Sequence, residues 1–193
     1  KIMKKIKWLT TVLVVASIAL GIIGCSSPSG PGNGGTQGVI LPEGFVLVKG
    51  TTITGTESWT PESDVFVSGR KLTIPDLLVS DHEVTKGEYK AVMGFDPCLW
   101  ADAYDKDGNK LEGDAVLNNP RTGVRWYDAI VYCNKLSIKE KLTPCYSIDG
   151  STNPDDWGTV PESDDDEWNA ATCNFKANGY RLPTEAEWEW LAR

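Results

Sequence analysis

Two well-separated segments of this chain carry the same helix start signal. In "DHEVTKGEYKAVMG" Thr85 stands three residues before Glu88, and in "GYRLPTEAEWEWLAR" Thr184 stands three residues before Glu187. This is the spacing of a capping box. The threonine hydroxyl accepts from the N–H of the glutamate, and the glutamate carboxylate accepts from the N–H of the threonine, so two donors that a helix leaves orphaned are both satisfied. Beyond the first box Tyr89, Val92 and Met93 share one apolar face, and Gly94 supplies a stop. Beyond the second, Trp188, Leu191 and Ala192 fall together at helical spacing, while Glu185, Glu187 and Glu189 place negative charge toward the positive end of the helix dipole. Each face needs a core to bury against. No Gly, Asn or Pro follows the second helix, which is therefore expected to be an interior element of a longer domain.

The other elements follow from period and punctuation. "GFVLVKGTTITGT", Gly44 to Thr56, predicts two short strands or a hairpin, and "VFVSGRKLTIPDLLVSDHEVT", Val65 to Thr85, predicts another strand pair. "VRWYDAIVYCNKLSIKEK", Val124 to Lys141, is the longest helical pattern, with Ala129, Ile130, Cys133 and Leu136 on a common face. Trp126 and Trp188 are expected in the core. Polar, Gly/Asp-rich connections occupy Pro97 to Pro120 and Thr143 to Gly179. The class is α+β with much irregular structure and no internal repeat.

The start of the chain has a secretory layout. Lys4, Lys5 and Lys7 form a basic region, and Leu9 to Ile23 is almost uninterrupted apolar sequence, short for a membrane-spanning helix. It ends in "IIGC", Ile22 to Cys25, which resembles the lipobox of bacterial lipoproteins, in a loose form similar to that of spirochaetes. Residues 1–24 are thus expected to be a lipoprotein signal peptide, with Cys25 the lipidated N-terminus. Residues 25–38 have the Gly/Ser/Pro composition of a flexible tether. Residues 39–193 are long enough for a sizeable core.

Loss of residues 1–24, which hold four lysines and no acid, takes the net charge from −8 to −12. A surface so acidic disfavours nucleic acid as a partner. In an exported domain the thiols Cys98, Cys133, Cys145 and Cys173 are permitted to pair. Three complete pairings exist, and the preferred single bridge is Cys145–Cys173, which brackets one long loop; Cys133, on the apolar helix face, suits a buried free thiol. There is no C-x-x-C motif, and a lone histidine, His82, excludes a three-histidine iron site. Asp105, Asp107 and Asn109 alternate as calcium ligands do, but Lys110 and Val116 stand where an EF-hand needs Gly and Glu, so an Asp107-Gly108 turn is expected. The acidic run "PESDDDEW", Pro161 to Trp168, reads as a solvated loop. Trp59, Trp100, Trp157 and Trp168 fall in predicted loops, where they either anchor the loop or stack on a ligand.

Four segments in order, "GFVLVKG", "DHEVTKGEYKAVMG", "VRWYDAIVYCNKLS" and "GYRLPTEAEWEWLAR", resemble successive motifs of the formylglycine-generating enzyme, or sulfatase-modifying factor, domain family. The resemblance runs from Phe45 to Arg193 and implies an irregular C-type-lectin-like fold. It departs at Arg125, where the family tends to place Ser or Thr, and at Thr54-Gly55, where Met-Gly is common. The family's later motifs, Gly-Asn-Val-x-Glu-Trp, Arg-Gly-Gly-Ser and Gly-Phe-Arg, do not occur in these residues. The cysteine pair that binds copper in the family's enzymes lies in that second half, and none of the present cysteines matches it by position. The resemblance therefore implies the N-terminal half of a domain. No catalytic residue is expected here, copper enters only with the other half, and Arg181, Thr184, Glu185, Glu187 and Trp188 form a structural signature.

Two functions follow from the resemblance. One is oxidation of a cysteine to formylglycine on an unfolded peptide. The other is a non-catalytic, lectin-like surface protein binding a ligand or host molecule. Both place the chain in the cell envelope, attached to a membrane through the lipid on Cys25.

Overall fold

Both capping boxes form. A computed structural model describes residues 15–16, 41–59, 65–95, 104 and 107–193; Cys25, the tether, Cys98 and Trp100 lie outside the described residues. Helix α1 (Lys86–Met93) starts at Thr85, whose N–H donates to Glu88 Oε2 at 2.8 Å while its Oγ1 accepts from Glu88 N at 3.2 Å. Gly94 closes it in the left-handed conformation, at φ 79°. Helix α2 (Asp114–Leu117) and the long helix α3 (Trp126–Lys139) follow, then α4 (Asp166–Asn169) and α5 (Glu185–Leu191), capped by Thr184.

The strands are β1 (Val15–Ala16), β2 (Phe45–Val48), β3 (Thr51–Ile53), β4 (Leu72–Ile74), β5 (Leu77–Ser80), β6 (Tyr146–Ser147), β7 (Thr172–Cys173) and β8 (Tyr180–Arg181). Each of the two segments expected to hold strands, 44–56 and 65–85, forms two short ones, and they pair across the segments. β2 pairs with β5 and β3 with β4, in one continuous antiparallel register that sets Val48 opposite Leu77 and Thr51 opposite Ile74. Pro75 lacks an N–H and interrupts the ladder. Asp76 fills the interruption, accepting from Gly50 N at 2.9 Å and pairing with Lys49 Nζ at 2.7 Å. Only glycine fits at position 50, because a Cβ there would fall onto the Ile74 carbonyl. The main sheet runs β2-β5-β1-β8, with β1 antiparallel to both neighbours.

The core has two parts. The larger surrounds α3, whose Tyr127, Ala129, Ile130 and Cys133 are buried among Tyr89, Tyr146 and Tyr180. The smaller gathers Ile53, Phe66, Ile74, Leu77 and Val79 under Ala186, Trp190 and Leu191 of α5. Trp188 is therefore corrected: it is 41% exposed, because α5 turns Ala186, Glu187, Trp190 and Leu191 inward. Trp126 is half-buried at the edge of the larger core.

The long connection after α3 is ordered by its aromatic residues. Trp157 and Trp168 are buried and meet edge to face at 5.9 Å, and Trp168 meets Tyr127 at 5.4 Å. These two tryptophans anchor their loop. Within the acidic run, Asp165 caps α4 by accepting from Trp168 N at 3.0 Å. Gly108, at φ 83°, sits beneath a bridge between Tyr104 and Lys110, the turn expected in place of a calcium loop.

Candidate functional site

The signature closes on itself around one buried ion pair. Arg181, in β8, is 2% exposed and Glu187, in α5, is 5% exposed. Arg181 Nη1 donates to Glu187 Oε2 at 2.6 Å and Nη2 to Oε1 at 2.7 Å, a two-pronged contact that fixes strand to helix. The same carboxylate accepts from Thr184 N at 2.7 Å. Burial alone would raise the Glu187 carboxyl, but the guanidinium and the Thr184 donor outweigh it and hold the group below the usual carboxylate range. Arg181 also donates to Leu182 O at 3.0 Å and lies 4.9 Å from the centroid of the Phe175 ring. Glu185 is exposed at the start of α5. Both guanidinium Nη atoms and both carboxylate oxygens of the pair are thus committed to holding the fold.

Behind this pair lie Cys133, Cys145 and Cys173, all free thiols. Cys145 and Cys173, the pair preferred for a bridge, are both free thiols here, and the β6–β7 register sets Tyr146 opposite Cys173. Burial pushes the Cys133 thiol far up, raises Cys145, and brings Cys173 to about 11. Such thiols are protonated at neutral pH and poor nucleophiles or metal ligands. Among the described residues no group of three His, Cys, Asp or Glu is arranged to hold a metal ion.

Two polar residues on α3, both fully buried, tie these elements together. Asn134 donates to Tyr146 O and Thr152 O, each at 2.8 Å, and accepts from Tyr146 N. Ser137 accepts from Tyr180 N at 2.8 Å, and a Cβ on Gly179 would meet its hydroxyl. Arg125, one of the departures from the family pattern, grips Asp128 at 2.8 Å and the Pro161 carbonyl at 2.7 Å, docking the acidic loop onto the start of α3.

A second group of charged side chains, partly exposed, lies at the other capping box. A cavity of about 330 Å³ is lined by Phe45, His82, Glu88, Tyr132, Lys139 and Tyr180. His82 Nδ1 is 2.6 Å from Asp81 Oδ1 and its Nε2 is 2.9 Å from Glu88 Oε1. The Asp81 contact first, and the Glu88 contact second, raise the histidine above its ordinary value. With both ring nitrogens facing carboxylates, the charged imidazolium is favoured over the neutral ring. The cavity therefore combines an aromatic wall with a cation and a carboxylate, a combination suited to binding. In the sequence His82 serves only to exclude an iron site. The missed signal is that His82 stands three residues before Thr85, as Arg181 stands three before Thr184.

Comparison with known proteins agrees with this architecture. The family model described as the sulfatase-modifying factor enzyme 1-like domain matches residues 31–193. The chain is 36% identical over 186 residues to the chaperone protein LppX of Paenibacillus barcinonensis, covering 96% of this chain and 54% of that protein. Among solved structures it resembles Treponema denticola variable protein 1, with a TM-score of 0.54 and 31% identity over 77% of this chain and 52% of that one. It also shares its fold with CarF, at a TM-score of 0.52 and 24% identity, over 79% of this chain and 57% of that one. The chain spans about half the length of the relatives it matches.

Proposed function

Since this chain belongs to the sulfatase-modifying factor enzyme 1-like domain family and has that family's α+β, C-type-lectin-like fold, we propose that it is an exported lipoprotein of the cell envelope whose residues 39–193 serve as a binding scaffold. The observation that carries this is where the polar chemistry goes. Arg181, Thr184 and Glu187 satisfy one another, and the three described thiols are held protonated. The open, mixed-charge surface is the cavity beside His82. The basic start, the apolar run and Cys25 in "IIGC" support lipid attachment. Growth on a labelled fatty acid tests the anchor: label should appear in the membrane fraction and vanish in the Cys25→Ala variant. Unlabelled protein in the soluble fraction would sink it.

Family membership favours a second reading, a formylglycine-generating oxidase whose copper cysteines lie outside these residues. Incubation of the full gene product with copper, oxygen and a cysteine-containing peptide separates the two. Conversion of the peptide cysteine to an aldehyde supports the oxidase, whereas an unchanged peptide supports the scaffold.

A further inference from the structure

The cavity beside His82 is bordered by two polar groups that the fold itself does not use. Tyr132 of α3 and Tyr180 of β8 both line it and are only 3% and 7% exposed. Neither hydroxyl has a hydrogen-bond partner among the described residues. The other buried tyrosines of this core differ. Tyr127 donates to Asn169 Oδ1 at 2.8 Å, and the Tyr146 hydroxyl accepts from Leu182 N at 3.0 Å. A buried hydroxyl without a partner is costly, so two of them on one cavity mark a place where a ligand's polar group completes the pattern.

The charges around the cavity say which kind of group. Glu43, Glu88 and Glu140 line it against two cations, Lys139 and His82. His82 is already balanced by Asp81 and Glu88, which leaves the cavity with an excess of negative charge. Each free hydroxyl stands near one of the acids. Burial first, and then the charge of Glu88, raises the Tyr132 phenol; burial first, and then the charge of Glu140, raises that of Tyr180. Both hydroxyls are therefore intact at neutral pH, in a field that attracts a cation.

The wall adds to that field. The rings of Phe45 and Tyr180 lie 5.7 Å apart and tilted by 41°, and Val92 and Leu136 complete an apolar lining. Aromatic faces carry negative potential and favour a cation and its alkyl stem. A volume of about 330 Å³ suits a small group rather than an extended chain. An anion would face the surplus of carboxylates, and a neutral ligand would leave that surplus unanswered. A primary ammonium brings three donors to a site rich in acceptors.

We propose that the His82 cavity binds a primary ammonium group on an apolar stem, with the Tyr132 and Tyr180 hydroxyl oxygens accepting from the ammonium and the Phe45–Tyr180 wall covering the stem. This rests on the reading of that cavity as the binding surface of the scaffold. A free amine and the lysine side chain of a peptide share this chemistry.

The test is calorimetric titration of the full gene product at pH 7 with phenethylamine, with its neutral counterpart phenethyl alcohol and with its anionic counterpart hydrocinnamate. Phenethylamine should bind at least about tenfold tighter than either counterpart. Tyr132→Phe and Tyr180→Phe remove only the hydroxyls and should each weaken the amine about tenfold. Neither should lower the melting temperature, because neither hydroxyl holds the fold. Lys139→Ala removes a like charge and should tighten the amine. Nα-acetyl-lysine methylamide, titrated alongside, binds tighter than phenethylamine when the source is a peptide lysine and weaker when it is a free amine. Equal affinity for amine and alcohol, or tyrosine variants that bind the amine as wild type does, would overturn the ammonium assignment. Tighter binding of hydrocinnamate would overturn it too, while leaving the cavity a binding site. Absence of binding by every probe would overturn it together with the reading of the cavity on which it rests.

Discussion

Removing the carboxylate from Glu187 should be the most damaging single change at the signature. In Glu187→Ala, Arg181 remains 2% exposed with both its paired contacts gone. An uncompensated buried charge of this kind costs about 3–5 kcal/mol. That is a large part of the roughly 5–15 kcal/mol that holds an ordinary domain folded. With a urea dependence of about 2 kcal/mol per M, the midpoint of the mature protein should fall by about 1.5–2.5 M. Thr184→Ala removes only the cap acceptor of Glu187 N and should cost about 1 kcal/mol, or about 0.5 M. Arg181→Met combined with Glu187→Leu replaces both charges with apolar volume and should recover more than half of the loss. The sign with pH is also fixed. Because the folded Glu187 carboxyl lies below its unfolded value, the stability from the pair is complete above the unfolded carboxyl range, about pH 4.3, and is lost as pH falls through the folded value. The gap between wild type and Glu187→Gln should therefore be constant from pH 6 to 8 and close in acid. A Glu187→Ala variant no weaker than Thr184→Ala, or a double variant as weak as the single one, would refute the unpaired-charge account.

Other expectations follow from the remaining sites. His82, raised by Asp81 and Glu88, should stabilise the protein fully below about pH 6.5 and lose that contribution as pH rises through its folded value. The melting-temperature difference between wild type and His82→Gln should thus be larger at pH 5.5 than at pH 8.5, and an unchanged difference would count against the paired imidazolium. Gly50→Ala should cost more than about 2 kcal/mol, since the new methyl falls onto the Ile74 carbonyl; equal urea midpoints would contradict it. At pH 8 Cys173 is only about 0.1% thiolate. Iodoacetamide should therefore label it slowly and Cys133 hardly at all, until urea exposes both, and rapid labelling of the native protein would show the thiols to be more open than the structure has them.

What could be read from the sequence was local. The boxes at Thr85 and Thr184, the Gly94 stop, the helix at Trp126–Lys139 and the Asp107-Gly108 turn each depend on residues within a few positions of one another. The strands of 44–56 and 65–85 are legible as strands, but their partners are not, because that information is not local. Gly50, Pro75 and Asp76 together decide that β3 and β4 continue the ladder of β2 and β5, and none of the three signals that in isolation. The face of α5 was misread for a related reason. Counting apolar residues selects Trp188, whereas the structure buries the charged Glu187 because its cation, Arg181, arrives from another element.

The two capping boxes also show how one local motif serves two purposes. "HEVTKGE" and "RLPTEAE" share a cation three residues before the threonine and a glutamate three residues after it, and in both the cation meets the glutamate. At the second, the cation is an arginine sealed in the core. It cannot titrate near neutrality, so the contact is permanent and fixes β8 to α5. At the first, the cation is a histidine, about 42% exposed, at the mouth of a cavity. That charge is lost as pH rises through the raised histidine value, while Thr85 and Glu88 still hold the start of α1. The same geometry therefore gives a fixed joint where the fold is assembled and an adjustable charge where a ligand would enter. Replacing His82 with arginine should make the first site behave like the second, removing the pH dependence that the imidazole contributes while keeping the helix start. A His82→Arg variant that retained the wild-type pH profile would place that titration on some other group.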